Sequence, residues 1–131
     1  MSTTTTGSDG QGGIAINETE RLIASDKVEG TAVFNRQGDR LGSVHTLMID
    51  KITGQVQYAV MSFGGFLGIG EHYHPLPWKA LTYDTRLLGY VVDLSREQLE
   101  RAPSYPADQP PWGDPAYGRT VYEYYGTPYY L

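Results

Sequence analysis

The residues with the clearest chemical potential lie in Glu71-His-Tyr-His74. On an extended chain, positions i and i+2 point to one side. His72 and His74 could then offer imidazole nitrogens to one metal ion, with Glu71 facing away. Two ligands hold a metal weakly, and a third would have to come from His45 or from another chain. The plainer account is an edge strand showing polar side chains, its pairing blunted by Pro75 and Pro77. We take that account, expect no metal and no cofactor, and keep a metal or small-ligand site at His72 and His74 as the alternative.

The stretch Gly64-Gly-Phe-Leu-Gly-Ile-Gly70 has the composition of a phosphate-cradling loop but not its pattern. It lacks Gly-Lys-Ser/Thr, does not give G-x-G-x-x-G, and cannot open a helix with Pro75 and Pro77 so close. It reads instead as a long hairpin connection that carries Phe66, Leu67 and Ile69 outward as a contact surface. Ser43, Ser62, His45 and Asp50 do not form a catalytic constellation, because no nucleophile elbow or oxyanion motif accompanies them. Glu18/Glu20 and Glu97/Glu100 read as solvated positions, not acid–base pairs. No enzyme activity is expected.

The elements that carry these residues are strands. Thr31–Asn35, Leu41–Ile49, Gln55–Phe63, Tyr73–Trp78 with Ala80–Tyr83, and Arg86–Leu94 are runs of strand-forming residues, broken by turn residues such as Gln37-Gly-Asp39 and Asp50-Lys-Ile-Thr-Gly54. In Gln55–Phe63, Val56, Tyr58 and Val60 share one face while Ala59, Met61 and Phe63 share the other, so both faces are apolar and the strand is central. Val44 is out of phase with Leu47 and Ile49, and a bulge near His45 and Thr46 would bring all three inside. Gly89 marks a bend or a close backbone approach. Ser95-Arg-Glu-Gln98 is a capping box that opens a short helix, about 96–101, ended by Pro103. The expected core is Val33, Val44, Leu47, Ile49, Val56, Tyr58, Val60, Leu76, Leu81, Leu88, Val91 and Val92, with Trp78 sealing one end.

The chain of 131 residues supports one modest core. Its formal charge of −5, with only three lysines, argues against gripping a phosphate backbone, so no nucleic-acid partner is expected. The absence of cysteine excludes disulfides, thiolate metal sites and cysteine nucleophiles. No apolar run approaches the ~20 residues that span a bilayer, and the N-terminus lacks a signal peptide's basic and apolar regions, so a cytoplasmic location is expected. Residues 1–20 are Ser/Thr/Gly-rich and read as a flexible leader. Residues 102–131 hold six of the eight prolines and seven of the eleven tyrosines, and read as an extended aromatic tail docked across the barrel or onto a second subunit.

Gly30-Thr-Ala-Val-Phe-Asn-Arg-Gln-Gly-Asp-Arg-Leu-Gly-Ser-Val44 resembles the opening hairpin of the PRC-barrel family, and Ile49-Asp-Lys-Ile-Thr-Gly-Gln-Val-Gln-Tyr-Ala-Val60 resembles its second hairpin. Phe63 to Trp78 is similar to its glycine loop and following strand. The resemblance covers about residues 21–101. It implies a small β-barrel used for protein–protein interaction and not for catalysis. The family occurs in the cytoplasmic part of the photosynthetic reaction-centre H subunit, in ribosome-maturation factors and as stand-alone bacterial proteins. This chain shows neither the H subunit's transmembrane helix nor the ribosome factor's separate N-terminal domain, so neither role is carried over.

The reading is therefore an all-β, PRC-barrel-like domain at 21–101 with one short helix after the last strand. Its expected function is a non-enzymatic interaction or assembly module with an unidentified protein partner. A homodimer is expected because a barrel of ~75 residues has a marginal core. The expected interaction surface comprises Phe66, Leu67, Ile69, Trp78, Tyr122, Tyr124 and Tyr125.

Overall fold

A computed structural model of the chain describes residues 19, 21–63 and 72–127. The Phe66, Leu67 and Ile69 surface lies outside these residues, as do Glu71 and most of the leader. The elements in chain order are α1 (Ser25–Val28), β1 (Ala32–Phe34), β2 (Arg40–Ile49), β3 (Val56–Phe63), β4 (His72–Pro77), a 3-10 turn (Trp78–Ala80), β5 (Leu81–Asp84), β6 (Gly89–Val92), α2 (Arg96–Arg101), β7 (Tyr105–Pro106) and α3 (Pro115–Tyr124).

The strands form one sheet in the order β5-β6-β1-β2-β3-β4-β7, antiparallel throughout except for the β1–β6 pair. This order forces the sheet to curl. β4 and β5 stand five places apart, or roughly 24 Å across a flat sheet at ~4.8 Å per strand. Yet the three residues Trp78–Ala80 join them, and such a link reaches only about 14 Å. The fold is all-β and barrel-like, with Trp78 packed against its core and its ring 5.5 Å from that of Tyr90.

The turns follow from their side chains. Asn35 Oδ1 accepts from the Asp39 amide in the β1–β2 turn, and Asp50 Oδ1 accepts from Ile52 and Thr53 in the β2–β3 turn. The bulge forms where β2 is out of phase: the pairing with β3 slips between Val44 and Thr46, which turns Val44 and Leu47 inward. A second slip between Met48 and Ile49 undoes this for the last residue. Ile49 is therefore 49% exposed and not in the core, contrary to the pattern-based expectation. Leu88 also leaves the core. It stands in the β5–β6 turn at φ 55°, and 69% of it is exposed.

Two glycines are required by close backbone approach. A Cβ on Gly42 would lie 2.1 Å from the Ser62 carbonyl oxygen, and one on Gly89 would lie 2.6 Å from that of Ala32. The capping box is present: Gln98 N donates to Ser95 Oγ and Ser95 N donates to Gln98 Oε1. Leu94 packs with Leu99 in the barrel interior.

The C-terminal segment is more structured than an extended tail. Pro106 and Tyr105 pair with His72 and Tyr73 to add β7 to the sheet edge. Proline does not exclude a helix beyond, because Pro115 sits in its first turn, where the missing N–H costs nothing. Asp114 caps that helix by accepting from the Ala116 amide at 2.9 Å.

Candidate interaction face

The core is divided by β3. Ala59 and Met61 point into the barrel with Val33, Val44, Leu76, Val92 and Leu99. Tyr58 and Val60 point out of it, and the C-terminal segment covers them with Tyr105, Val121 and Tyr122. The outward face is apolar because the alternation of β3 offers two apolar sets, and a single barrel interior buries only one.

The cover is built from rings. Tyr58 lies 5.2 Å from Trp112 and 5.5 Å, edge-on, from Tyr122. Tyr105 bridges Tyr73 at 5.8 Å and Trp112 at 5.6 Å, and Tyr117 stands 6.1 Å from Trp112. His45 extends the run by stacking on Tyr73 at 4.2 Å. Each edge-to-face pair adds about 0.5–1.5 kcal/mol beyond the area it buries. Polar tips pin the ends: Tyr122 Oη donates to the Gln57 carbonyl oxygen at 3.0 Å, and Tyr124 Oη donates to that of Gln98 at 2.5 Å.

Not every phenol is satisfied. The hydroxyls of Tyr117 and Tyr125 are buried with no hydrogen-bond partner among the described residues. Burial, with a smaller contribution from Tyr105, pushes Tyr117 up to about 12. Burial, with Tyr124 and Tyr117 adding to it, raises Tyr125 as well.

The expected surface residues thus separate. Tyr122 is buried and Tyr125 half-buried, and both are spent on the chain's own barrel. Trp78 is partly buried against the core, and Tyr124 stays 40% exposed. Pattern reasoning did not single out Trp112, Tyr105, Tyr58 or Tyr73 for this face. The apolar outer alternation of β3 was the signal that something had to cover it.

The histidines take different roles. His72 is exposed, with Nδ1 3.4 Å from Ser104 Oγ. His74 is buried edge-on to Phe63, at 5.4 Å. Its pKa is lowered to about 4, first by burial and then by His72, against an opposing hydrogen bond with the Leu99 main chain. His45 is engaged with Tyr73, the residue between the pair, whose side chain alternates to the other side of β4. No group of three His, Asp or Glu side chains spaced for a metal occurs among the described residues. A shallow groove on the β5–β6 side is lined by Arg36, Thr82, Tyr83, Asp84, Val91 and Asp93. The Arg36–Asp93 ion pair within it, at 3.4 Å, is solvent-exposed and so contributes little.

No helix among the described residues is long and apolar enough to cross a membrane. No curated protein matches the chain. The family model for the PRC-barrel domain matches residues 20–99, a span that takes in β1 to β6 and runs into α2. A match over more than half of the sequence, on a sheet curled by its own strand order, means that the chain belongs to the PRC-barrel domain family.

Proposed function

We propose that this protein is a non-enzymatic interaction or assembly module that engages a protein partner. The observation that supports this reading is the outer face of β3 and β4. There the domain grips a polypeptide segment from beyond the matched residues through Tyr58, Val60 and Tyr73. A barrel that holds one peptide segment by ring packing and main-chain hydrogen bonds has the chemistry for holding others.

A second copy of the chain is one such partner, favoured by the small core. Tyr122 and Tyr125 do not argue for it, because those two rings pack within the chain. Light scattering at micromolar concentration that shows only monomer removes the homodimer.

The test of the wider reading is cross-linking of the full chain in cells, followed by affinity measurement on the purified pair. A saturable complex with a defined protein supports the module. Failure to form any complex, together with a rise in melting temperature on adding zinc or nickel that His72→Ala and His74→Ala abolish, transfers the function to a metal site.

A further inference from the structure

We propose that the outer β3–β4 face is the docking surface for a helix-forming segment with tyrosine or tryptophan anchors, and that residues 105–125 occupy it in cis as a releasable surrogate. This inference rests on the interaction-module reading and names the surface and the chemistry of its partner.

Three observations carry it. The family match stops at residue 99, so the covering segment is an addition to a domain defined without it. Its main-chain pairing is short: β7 pairs with β4 at two positions, His72↔Pro106 and Tyr73↔Tyr105, Pro103, Pro110 and Pro111 fill the connections on either side, and the rest of the hold comes from side chains. Its fit is also incomplete. Tyr117 and Tyr125 bury hydroxyls that find no partner among the described residues. Burying a hydroxyl without a partner carries a desolvation cost. A competing segment that lacks those hydroxyls, or supplies acceptors to them, avoids the cost.

The shape of the partner follows from the surrogate. Asp114 and Pro115 give α3 its own start signal, so local chemistry sets where the helix begins and packing on the barrel completes it. Val121 and Tyr122, adjacent on α3, face the barrel, and Trp112 just before the helix packs on Tyr58. A partner therefore brings one ring ahead of a helix start and an aliphatic–aromatic pair about two turns into it.

The test uses the full chain and, as probe, a fluorescently labelled synthetic peptide of residues 105–127. Binding is measured to the wild-type chain and to chains carrying Tyr122→Phe or Tyr122→Ala, each checked for a cooperative melt. The peptide is expected to bind the wild type weakly and the Tyr122→Ala chain at least tenfold more tightly, with Tyr122→Phe between them. Should Tyr122→Ala fail to fold, the Tyr122→Phe chain carries the comparison with a gain of a few fold. A peptide carrying Trp112→Ala is expected to lose tenfold or more. Equal affinity for all folded chains, no binding to a loosened chain, or indifference to Trp112→Ala overturns the proposal. A cellular partner whose complex the peptide does not displace also overturns it but leaves the interaction module standing. Peptide binding as expected with no cellular partner overturns the module reading and, with it, the docking of a partner.

Discussion

The hydroxyl of Tyr122 donates to the main-chain oxygen of Gln57 at 3.0 Å, joining α3 to the start of β3 across 65 positions of sequence. The Gln57 side-chain oxygen lies 3.2 Å from the same hydroxyl. The ring beneath it is 7% exposed and packs on Tyr58. Tyr122→Phe keeps the ring and removes the hydrogen bond, so a loss of about 1 kcal/mol is expected. Tyr122→Ala empties the site and should cost about 3–5 kcal/mol. Urea unfolding followed by Trp fluorescence separates the two. Equal effects of both variants would show that the ring contributes nothing to the hold.

Leu88 carries a conformation suited to glycine. Asp84 Oδ1 accepts from the amides of Arg86 and Leu87, much as Asp50 Oδ1 accepts from those of Ile52 and Thr53. Four residues after Asp50 stands Gly54 at φ 77°; four after Asp84 stands Leu88 at φ 55°. A left-handed backbone at a non-glycine residue costs about 1 kcal/mol. Leu88 is mostly exposed and gives little packing in return. Leu88→Gly is expected to be neutral to stabilising by up to about 1 kcal/mol, and Gly54→Ala to destabilise by a similar amount. Thermal melts check both: Gly54→Ala should lower the melting temperature and Leu88→Gly should not.

These turns also show how much of the fold is local to the sequence. The apolar double alternation of β3, the phase break before Thr46, and the Ser95–Gln98 box were local signals, and each corresponds to a local structure. Ile49 departs from the pattern because a second slip follows the first, and a slip of one residue exchanges the faces. Leu88 was misplaced because its apolar side chain continues the strand pattern while its backbone belongs to the turn. The helix at Pro115–Tyr124 does not show in proline content, because a proline in the first turn is compatible with a helix while one in its interior is not. The aromatic face itself was not legible as a site. Tyr58, Tyr73, Tyr105 and Trp112 are far apart in sequence, and only the sheet order brings them together.

The glycines of the sheet give a sharp contrast. At Gly42 a methyl group would meet the Ser62 carbonyl oxygen at 2.1 Å and Met61 Cε at 2.8 Å; at Gly89 it would meet the Ala32 carbonyl oxygen at 2.6 Å and Phe34 Cε2 at 2.8 Å. In each case the nearest atom is backbone of a neighbouring strand, which moves only if the sheet opens. Gly42→Ala and Gly89→Ala should each cost at least about 3 kcal/mol or prevent folding. At Gly113 nothing lies within 4 Å. Gly113→Ala should leave the melting temperature unchanged or slightly raised. A Gly42→Ala chain as stable as wild type would mean that β2 and β3 lie farther apart than described.

His74 is expected to make the protein's stability fall with acid. It is buried, and its pKa is lowered from 6.5 to about 4 by burial first and His72 second. The unfolded chain therefore binds a proton at this position between pH 6.5 and about 4 that the folded chain refuses. Stability from this group is complete above pH 6.5, declines as pH falls, and is gone once the folded form also protonates near pH 4. The gap corresponds to roughly 3 kcal/mol across that window. Asp84, held below its ordinary range by the amides of Leu87 and then Arg86, loses its contribution only at more acid pH, so it does not mask the effect. His74→Leu removes the titrating group and keeps an apolar side chain among Phe63 and Leu99. Its unfolding free energy, measured from pH 7 to 4.5, should decline less steeply than that of the wild type. Parallel curves for the two proteins would show that His74 protonates as easily in the folded chain as in the unfolded one.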